Sequence, residues 1–266
     1  MQEFVEVRDL SMCCDVFGEG EPVVLIMGLT GNMDWWDPGL LFALSQRYKV
    51  LMFDNRGAGR TVTPDEGQWT CEQFADDTVA LMDATGFERA HIIGISMGGM
   101  IAQELVLKYP EKVDKLTLGC TFCGGKHTVP ASKEVLLKLT DRSGGPDGML
   151  RRTLEIMFTR DFMDEHPEAV EGFTIAFKRA PTSDANAVRQ FVATVNLDTF
   201  DRLPGIKAPT LVATGTEDVL IPPENSRIIA GQIPGAKLIE YEGAGHAFIV
   251  QAREAFIKDL LEFLES

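Results

Sequence analysis

Short runs of consecutive apolar residues recur along the chain, and they constrain its fold more than any other feature. They lie at residues 23–28, 48–54, 89–95, 114–120, 209–215 and 237–243. Runs of this length without polar alternation are typical of strands that are buried on both faces. Helical apolar patterns alternate with them, at residues 40–46, 70–85, 100–109, 223–232 and 247–264. This alternation predicts an α/β fold with a mostly parallel central sheet flanked by helices.

The alternation is interrupted at two places. Residues 1–20, with turn residues in the segment FGEGEP, predict an antiparallel hairpin at the edge of the sheet. Residues 122–202 lack a convincing strand, and their apolar residues follow helical spacing at 135–139, 150–158, 173–177 and 188–195. We therefore predict a core domain of residues 1–121 and 203–266, with residues 122–202 inserted between core strands as a helical cap, or lid.

The segment GISMGG, which contains Ser96, lies where a predicted strand meets a predicted helix. A Gly-x-Ser-x-Gly pattern at such a junction places the serine on a sharp, strained turn at the carboxyl end of the sheet. Gly94 and Gly98 fit this turn because a Cβ atom would clash where the strand and the helix approach each other. A chance match in a glycine-rich loop would not explain this position, and we predict that Ser96 is a nucleophile.

A serine hydroxyl needs a base to accept its proton, and four histidines are available. His91 begins the strand that leads to Ser96, so it belongs to the opposite end of the sheet. His127 and His166 lie in the predicted helical insertion. His246 lies in the segment GAGHAF after the last predicted strand, at the same edge of the sheet as Ser96. We therefore predict that His246 is the base.

The base needs a carboxylate to hold its tautomer, and the oxyanion intermediate needs two N–H donors. The segment GTEDVLIPP follows the strand at 209–215, and Asp218 is the predicted carboxylate, with the adjacent Glu217 as the alternative. One predicted oxyanion donor is the backbone of Met97, directly after the serine. The other is Leu29, in the segment MGLTGN after the first parallel strand.

The segments GISMGG, FDNRGAGRT, GTEDVLIPP and GAGHAF resemble those of the α/β-hydrolase superfamily, over essentially the whole chain. The segment WDP together with DNRGAGR is similar to the branch of small capped serine hydrolases that includes carboxylesterases, enol-lactonases, C–C hydrolases and cofactor-free haloperoxidases. The resemblance implies the α/β-hydrolase fold and a Ser-His-Asp triad. One position departs from the family pattern, because Met27 stands where a histidine usually braces the oxyanion loop.

The arginines and glycines of DNRGAGRT, residues 54–61, could suggest a phosphate-binding loop. The segment lacks the Lys-Ser/Thr pair of a P-loop, however. We predict a structural turn in which Asp54 or Arg56 braces neighbouring loops.

Large apolar side chains of the predicted cap should form an apolar pocket above the nucleophile, although most of them simply pack the cap onto the core. The predicted lining comprises Trp35, Met157, Phe158, Phe162 and Ile221. The pairs Arg151-Arg152 and Lys178-Arg179 could bind a substrate carboxylate, but no basic cluster stands out. We therefore expect a neutral, apolar ester of small to medium size.

The charge and the cysteines exclude several other classes of protein. A formal net charge of −15 argues against nucleic acid and anionic membranes as partners. We find no signal-peptide pattern, and no apolar stretch reaches the roughly 20 residues of a membrane span. The single C-x-x-C pair, Cys120 and Cys123, has no second pair or histidine cluster for zinc. We expect a cytoplasmic protein with reduced thiols, without metal or cofactor, as a monomer or a homodimer.

These observations predict a serine carboxylesterase that works through an acyl-enzyme. The same triad could instead hydrolyse an enol-lactone or a C–C bond, or use peroxide for perhydrolysis, because fold alone does not fix the reaction. A sensor of a small apolar ligand, with little turnover, is the remaining alternative, and the complete triad disfavours it.

Overall fold

The computed structural model describes residues 2–64 and 67–266, which form one central sheet with helices on both faces. The strands run in the order β1-β2-β4-β3-β5-β6-β7-β8. They are β1 (Glu3–Val7), β2 (Leu10–Phe17), β3 (Glu21–Ile26), β4 (Tyr48–Phe53), β5 (Ala90–Ile95), β6 (Val113–Gly119), β7 (Thr210–Gly215) and β8 (Lys237–Tyr241). The pairs β1–β2 and β2–β4 are antiparallel, and all other neighbours are parallel. The predicted mostly parallel sheet is confirmed.

The predicted hairpin at the edge of the sheet is formed by β1 and β2, but its turn is not where the sequence suggested. The turn lies at Arg8 and Asp9, and Arg8 has a φ of 54°. The segment FGEGEP instead links β2 to β3. Gly18 and Gly20 are needed there because their φ values are positive, and a Cβ atom would collide with backbone oxygens of the chain beside them.

Helices cover both faces of the sheet. They are α1 (Pro38–Ser45), α2 (Cys71–Ala84), α3 (Met97–Lys108), α4 (Lys133–Thr140), α5 (Gly145–Met157), α6 (Arg160–Glu165), α7 (Pro167–Arg179), α8 (Asp184–Val195), α9 (Glu224–Gln232), α10 (Phe248–Gln251) and α11 (Arg253–Glu265). Short 3₁₀ helices occur at Met33–Trp35, Pro110–Lys112, Gly125–His127 and Phe200–Gly205.

Two apolar clusters, one on each face, hold the sheet between its helices. In β3, Val24 and Ile26 belong to the cluster that includes residues of α2, α3 and α9. Val23 and Leu25, the alternate residues, belong to the cluster that includes residues of α1 and α11. Successive side chains of a strand point to opposite faces, so a strand with helices on both sides must be apolar throughout. This explains the uninterrupted apolar runs of the sequence.

The helices differ from the predicted ones mainly at the C-terminal end of the chain and within the insertion. The final helix, predicted as one element, is divided into α10 and α11 at Ala252, whose φ of −110° and ψ of 31° leave the helical region. The helix α3 begins at Met97, directly after Ser96, as the Gly-x-Ser-x-Gly turn predicts, and its apolar pattern becomes visible from residue 100. The helix α6 was not predicted, because six residues are too few to display a helical period.

The helices α4–α8 lie between β6 and β7, and we call them the helical insertion. None of residues 122–202, all of which the structure describes, joins the sheet. The two ends of this segment meet in a β-bridge between Gly124 and Asp198, and the Thr199 N–H donates to the Cys123 oxygen over 2.8 Å. The two ends of the insertion therefore lie side by side. Within the described residues, no helix is long and apolar enough to span a membrane.

Candidate active site

Ser96 stands at the junction of β5 and α3 in a strained backbone conformation. Its φ of 58° and ψ of −121° lie where a residue other than glycine is rarely found. The Ser96 N–H donates to the Gly119 oxygen over 2.8 Å, and the Thr121 hydroxyl donates to the Ser96 oxygen over 2.8 Å. A Cβ atom at Gly94 would collide with the backbone of Gly98 across the turn, and one at Gly98 would collide with the backbone of Ile26 at the end of β3. The surrounding contacts thus hold the serine at the carboxyl edge of the sheet.

His246 and Asp218 form a buried pair at the same edge, after β8 and β7. His246 Nδ1 lies 2.8 Å from Asp218 Oδ2, and each residue is 4% exposed. The other carboxylate oxygen accepts the N–H groups of Leu220, over 2.9 Å, and Ile221, over 2.8 Å. Glu217, the alternative considered from the sequence, is exposed to solvent. The hydrogen bonds fix the Asp218 carboxylate in place beneath the imidazole.

The electrostatics of His246 follow from this pairing. Burial by itself would lower the pKa of His246, because a desolvated imidazolium is unfavourable. The neighbouring Asp218 carboxylate outweighs that effect and raises the pKa well above the ordinary value of 6.5. The pair is therefore built to stabilise a positive charge on the ring, as a general base requires once it has accepted a proton.

The other histidines lie in different surroundings. His91 is buried at the opposite end of β5, with Nε2 3.4 Å from Glu21. His127 stacks on Phe200 with ring centres 3.5 Å apart, and His166 is exposed.

The thiol of Cys120, for which the sequence indicated no functional role, lies beside His246. Cys120 Sγ is 3.9 Å from His246 Nε2, the ring nitrogen that faces away from Asp218. Cys120 directly follows β6, so its position after a central strand was the available signal. The donor atoms of Cys120, Asp218 and His246 lie within 4.8 Å of one another, as in a metal site. The histidine and the aspartate already bind each other, however, and burial raises the pKa of the thiol, which disfavours the thiolate that a metal would need.

The serine hydroxyl itself makes no hydrogen bond within the described residues, and Ser96 is 9% exposed. Bonds between a nucleophile and its base are often long before a substrate is bound.

The segment after β3 lies against the serine. A Cβ atom on Gly28 would be 2.9 Å from Ser96 Cβ and 3.4 Å from Ser96 Oγ. The Gly31 N–H donates to the Gly28 oxygen over 3.2 Å and closes a turn. Because the C=O and N–H of a trans peptide point in opposite directions, the Leu29 N–H points out of this turn. Neither it nor the Met97 N–H, the first amide of α3, has an acceptor within the described residues.

The turn is braced from outside, although residue 27 is a methionine. Asn55 donates from Nδ2 to the Met27 oxygen over 2.9 Å. Asp54 accepts the N–H of Met33 over 2.7 Å with one oxygen and that of Arg60 over 2.7 Å with the other. The predicted bracing role of the segment 54–61 is therefore confirmed, and Asn55 supplies the support that the usual histidine would give.

Four of the five predicted pocket residues lie together. Trp35, Met157, Phe158 and Phe162 share one apolar cluster with Phe173 and with Ala247, the neighbour of His246. Trp35 contacts Phe173 edge-on with ring centres 4.9 Å apart. Ile221 lies in a different cluster, on one face of the sheet, and what it gives the site is the N–H bound to Asp218.

Three of the four cationic residues of the insertion that could bind a substrate carboxylate form ion pairs with aspartates. Arg152 pairs with Asp141, Lys178 with Asp147 and Arg179 with Asp34. Arg151, the remaining one of these cations, lines a cavity together with Leu154 and Met163, which belong to the cluster around Trp35.

Comparison with known proteins places these features in a family. The family model described as alpha/beta hydrolase fold matches residues 21–252. A protein from Azorhizobium caulinodans named "Putative carbamate hydrolase RutD" is 30% identical over 96% of this chain and 95% of its own. The enol-lactonase from Burkholderia xenovorans has a TM-score of 0.87 at 26% identity, covering 99% of this chain and 100% of its own. An esterase from Exiguobacterium antarcticum has a TM-score of 0.88 at 26% identity, covering all of both chains.

Proposed function

The chain belongs to the α/β-hydrolase fold family and is a hydrolase, and from this premise we propose that it cleaves a small to medium apolar carboxylic ester through a Ser-His-Asp triad. The observation that carries the proposal is the buried His246–Asp218 pair, 2.8 Å between Nδ1 and Oδ2, at the sheet edge where Ser96 has its strained backbone.

In the proposed mechanism, Ser96 Oγ attacks the ester carbonyl while His246 accepts its proton. The Asp218 carboxylate stabilises the resulting imidazolium. The N–H groups of Leu29 and Met97 bind the oxyanion, and both lack another acceptor in the described part of the chain. His246 then protonates the leaving alcohol. In the second half of the reaction, His246 accepts a proton from the attacking water, and it then protonates Ser96 Oγ as the acid product leaves. No metal or cofactor takes part.

The preference for an apolar substrate rests on the cluster that adjoins His246. This hydrophobic cluster combines side chains of the insertion with Trp35. It also includes Ala247, the residue that follows His246 in the sequence. We propose that the helical insertion is a cap whose residues Met157, Phe158 and Phe162 bind the acyl chain together with Trp35. An apolar wall of this kind binds alkyl groups.

Carbamate hydrolysis is the second candidate, and the name of the Azorhizobium relative favours it. A carbamate carbonyl reacts with the same nucleophile and oxyanion donors, so the triad does not distinguish the two. Enol-lactone hydrolysis is favoured in the same way by the Burkholderia structure.

Initial rates on p-nitrophenyl esters from acetate to laurate test the proposal, with an aryl carbamate and an enol-lactone in parallel and Ser96→Ala as the control. Ester hydrolysis that is lost in Ser96→Ala supports the esterase, and the chain-length optimum measures the acyl site. Turnover of the carbamate or the lactone far above every ester would replace the ester with that substrate. Equal rates in both proteins would overturn the serine mechanism.

A further inference from the structure

The turn that carries Leu29 contains a second strained residue. Thr30 has a φ of 60°, and it occupies the third position of the turn closed between Gly28 and Gly31. A positive φ at this position favours glycine or asparagine, and a β-branched side chain is a poor fit. Such a conformation persists only where the surrounding contacts hold it.

Those contacts come from the helical insertion. The Thr30 N–H donates to Gln190 Oε1 over 2.8 Å, and the Thr182 hydroxyl donates to the Thr30 oxygen over 2.9 Å. Gln190, on α8, is fully buried, and its Nε2 donates to the Arg56 oxygen over 2.9 Å. Both peptide groups of the strained residue are therefore held by side chains that lie outside the sheet.

We propose that Gln190, assisted by Thr182, is a positioning residue that holds the oxyanion turn in its active conformation. The peptide between Leu29 and Thr30 is fixed by Gln190, and the Leu29 N–H is one residue away on the same turn. If Thr30 relaxed to a negative φ, the peptide between Leu29 and Thr30 would rotate, and the turn that sets the direction of the Leu29 N–H would lose its present conformation. The insertion then has a second role besides covering the site, because it sets the geometry of an oxyanion donor. This inference rests on the proposed function.

The expected effect is a loss in kcat with little change in KM. Deleting an oxyanion donor costs about 10²–10³ in rate, and misplacing one costs less. We expect Gln190→Met, which keeps the side-chain length but neither hydrogen bond, to lower kcat by about 10 to 100-fold. Inhibition by an aryl boronic acid, which forms a tetrahedral adduct, should weaken by a similar factor. Inhibition by the product carboxylate, which forms no adduct, should not change.

Three further variants make the test specific. Val188→Ala changes an exposed residue of the same helix, 57% accessible, and should match the unmodified protein. Thr182→Val replaces the hydroxyl with a methyl group and should give a smaller loss of the same kind. It also serves as the test if Gln190→Met does not fold. In a Thr30→Gly background, where a positive φ is not strained, Gln190→Met should cost much less than in the native background.

The outcomes separate this inference from the proposed function. Absence of turnover that depends on Ser96 in the unmodified protein overturns the proposed function, and the inference with it. Turnover that depends on Ser96 and is unchanged by Gln190→Met overturns the inference alone. So does an equal weakening of boronic acid and carboxylate binding, which would indicate a general structural role.

Discussion

The Sγ atom of Cys120 lies 3.9 Å from Nε2 of His246, while Nδ1 of the same ring lies 2.8 Å from Asp218. The backbone of Gly119, next to the cysteine, is hydrogen-bonded to Ser96. A second nucleophilic side chain, the Cys120 thiol, therefore adjoins the proposed base and follows the residue that is bonded to the backbone of Ser96. Burial distinguishes them, because Cys120 is inaccessible and its pKa is raised by desolvation, whereas Ser96 is 9% exposed.

The first prediction concerns which of the two reacts. Ser96→Ala should lower kcat by about 10⁴-fold or more, and Cys120→Ala should remain close to the unmodified protein. Iodoacetamide near neutral pH should leave the activity intact, because burial raises the pKa of Cys13 to about 11 and that of Cys71 to about 12 and holds that of Cys120 above its usual value as well. A fluorophosphonate should label Ser96, as peptide mass spectrometry can check. Inactivation by iodoacetamide together with an active Ser96→Ala variant would assign the nucleophile to Cys120.

The second prediction concerns the carboxylate. Asp218→Asn should keep the geometry but lower kcat by a factor on the order of 10⁴, because the amide cannot stabilise the imidazolium. Glu217→Gln is the matched control, since it removes one negative charge from the adjacent, exposed residue. Steady-state kinetics on one ester should separate the two variants. Similar losses in both would mean that the loop, and not the buried carboxylate, supports the base.

The third prediction is a pH dependence. His246 must be neutral to accept a proton, and although burial lowers its pKa, the Asp218 carboxylate raises it well above 6.5 overall. The activity should therefore be lost as the pH falls through that raised value, so the acid limb of kcat/KM has its midpoint above 6.5. In Asp218→Asn, burial remains and the attraction is gone, so the midpoint should shift downward. A pH-stat assay avoids interference from nitrophenol ionisation, and an unshifted midpoint would contradict the assignment.

The positions of the triad residues could be predicted from the sequence because all loops that follow the strands of a parallel sheet lie at its carboxyl edge. Ser96, Asp218 and His246 each follow an apolar run directly or within a few residues. Gln190 could not be found in this way. Its partner Thr30 is 160 residues away, and a glutamine in an amphipathic helix looks like a solvated residue until the packing of the insertion is known.

Other features depended on contacts that no local pattern displays. From the sequence, Met27 leaves the oxyanion loop without its usual histidine brace. The side-chain amide of Asn55, in the predicted structural turn at 54–61, provides that brace. Ile221 is one of the residues that the sequence predicts to line the pocket. Its side chain belongs to a core cluster, and its N–H binds Asp218, a contact that the sequence does not display.

The fourth prediction concerns the acyl site. Phe162 is half-buried and stacks on Phe158 with ring centres 5.7 Å apart, in the cluster that adjoins His246. Phe162→Ala should open space for a longer chain and raise kcat/KM for long esters relative to short ones by about tenfold. Phe42→Ala, at an exposed phenylalanine of α1, is the control. A ratio that does not change would place the acyl chain elsewhere.

The fifth prediction concerns the stability of the turn that braces the site. Arg56 and Asp77 are each 2% exposed in their side chains, and two hydrogen bonds of 2.7 and 2.9 Å join them. Breaking a buried pair typically costs about 3–5 kcal/mol. Arg56 also binds Asp9, so we expect Asp77→Asn to lower the free energy of unfolding by about 3 kcal/mol, near the lower limit.

Asp83→Asn is the matched control for Asp77→Asn, because Asp83 pairs with Lys112 at the surface, where an ion pair contributes about 1 kcal/mol or less. Both variants remove one negative charge from the α2 helix, so they differ mainly in burial. Urea unfolding with equal m values should rank them as stated. If Asp77→Asn cost no more than Asp83→Asn, Asp9 alone would suffice to hold Arg56. The turn at 54–61 would then owe its conformation to Asp54 and its hydrogen bonds to Met33 and Arg60.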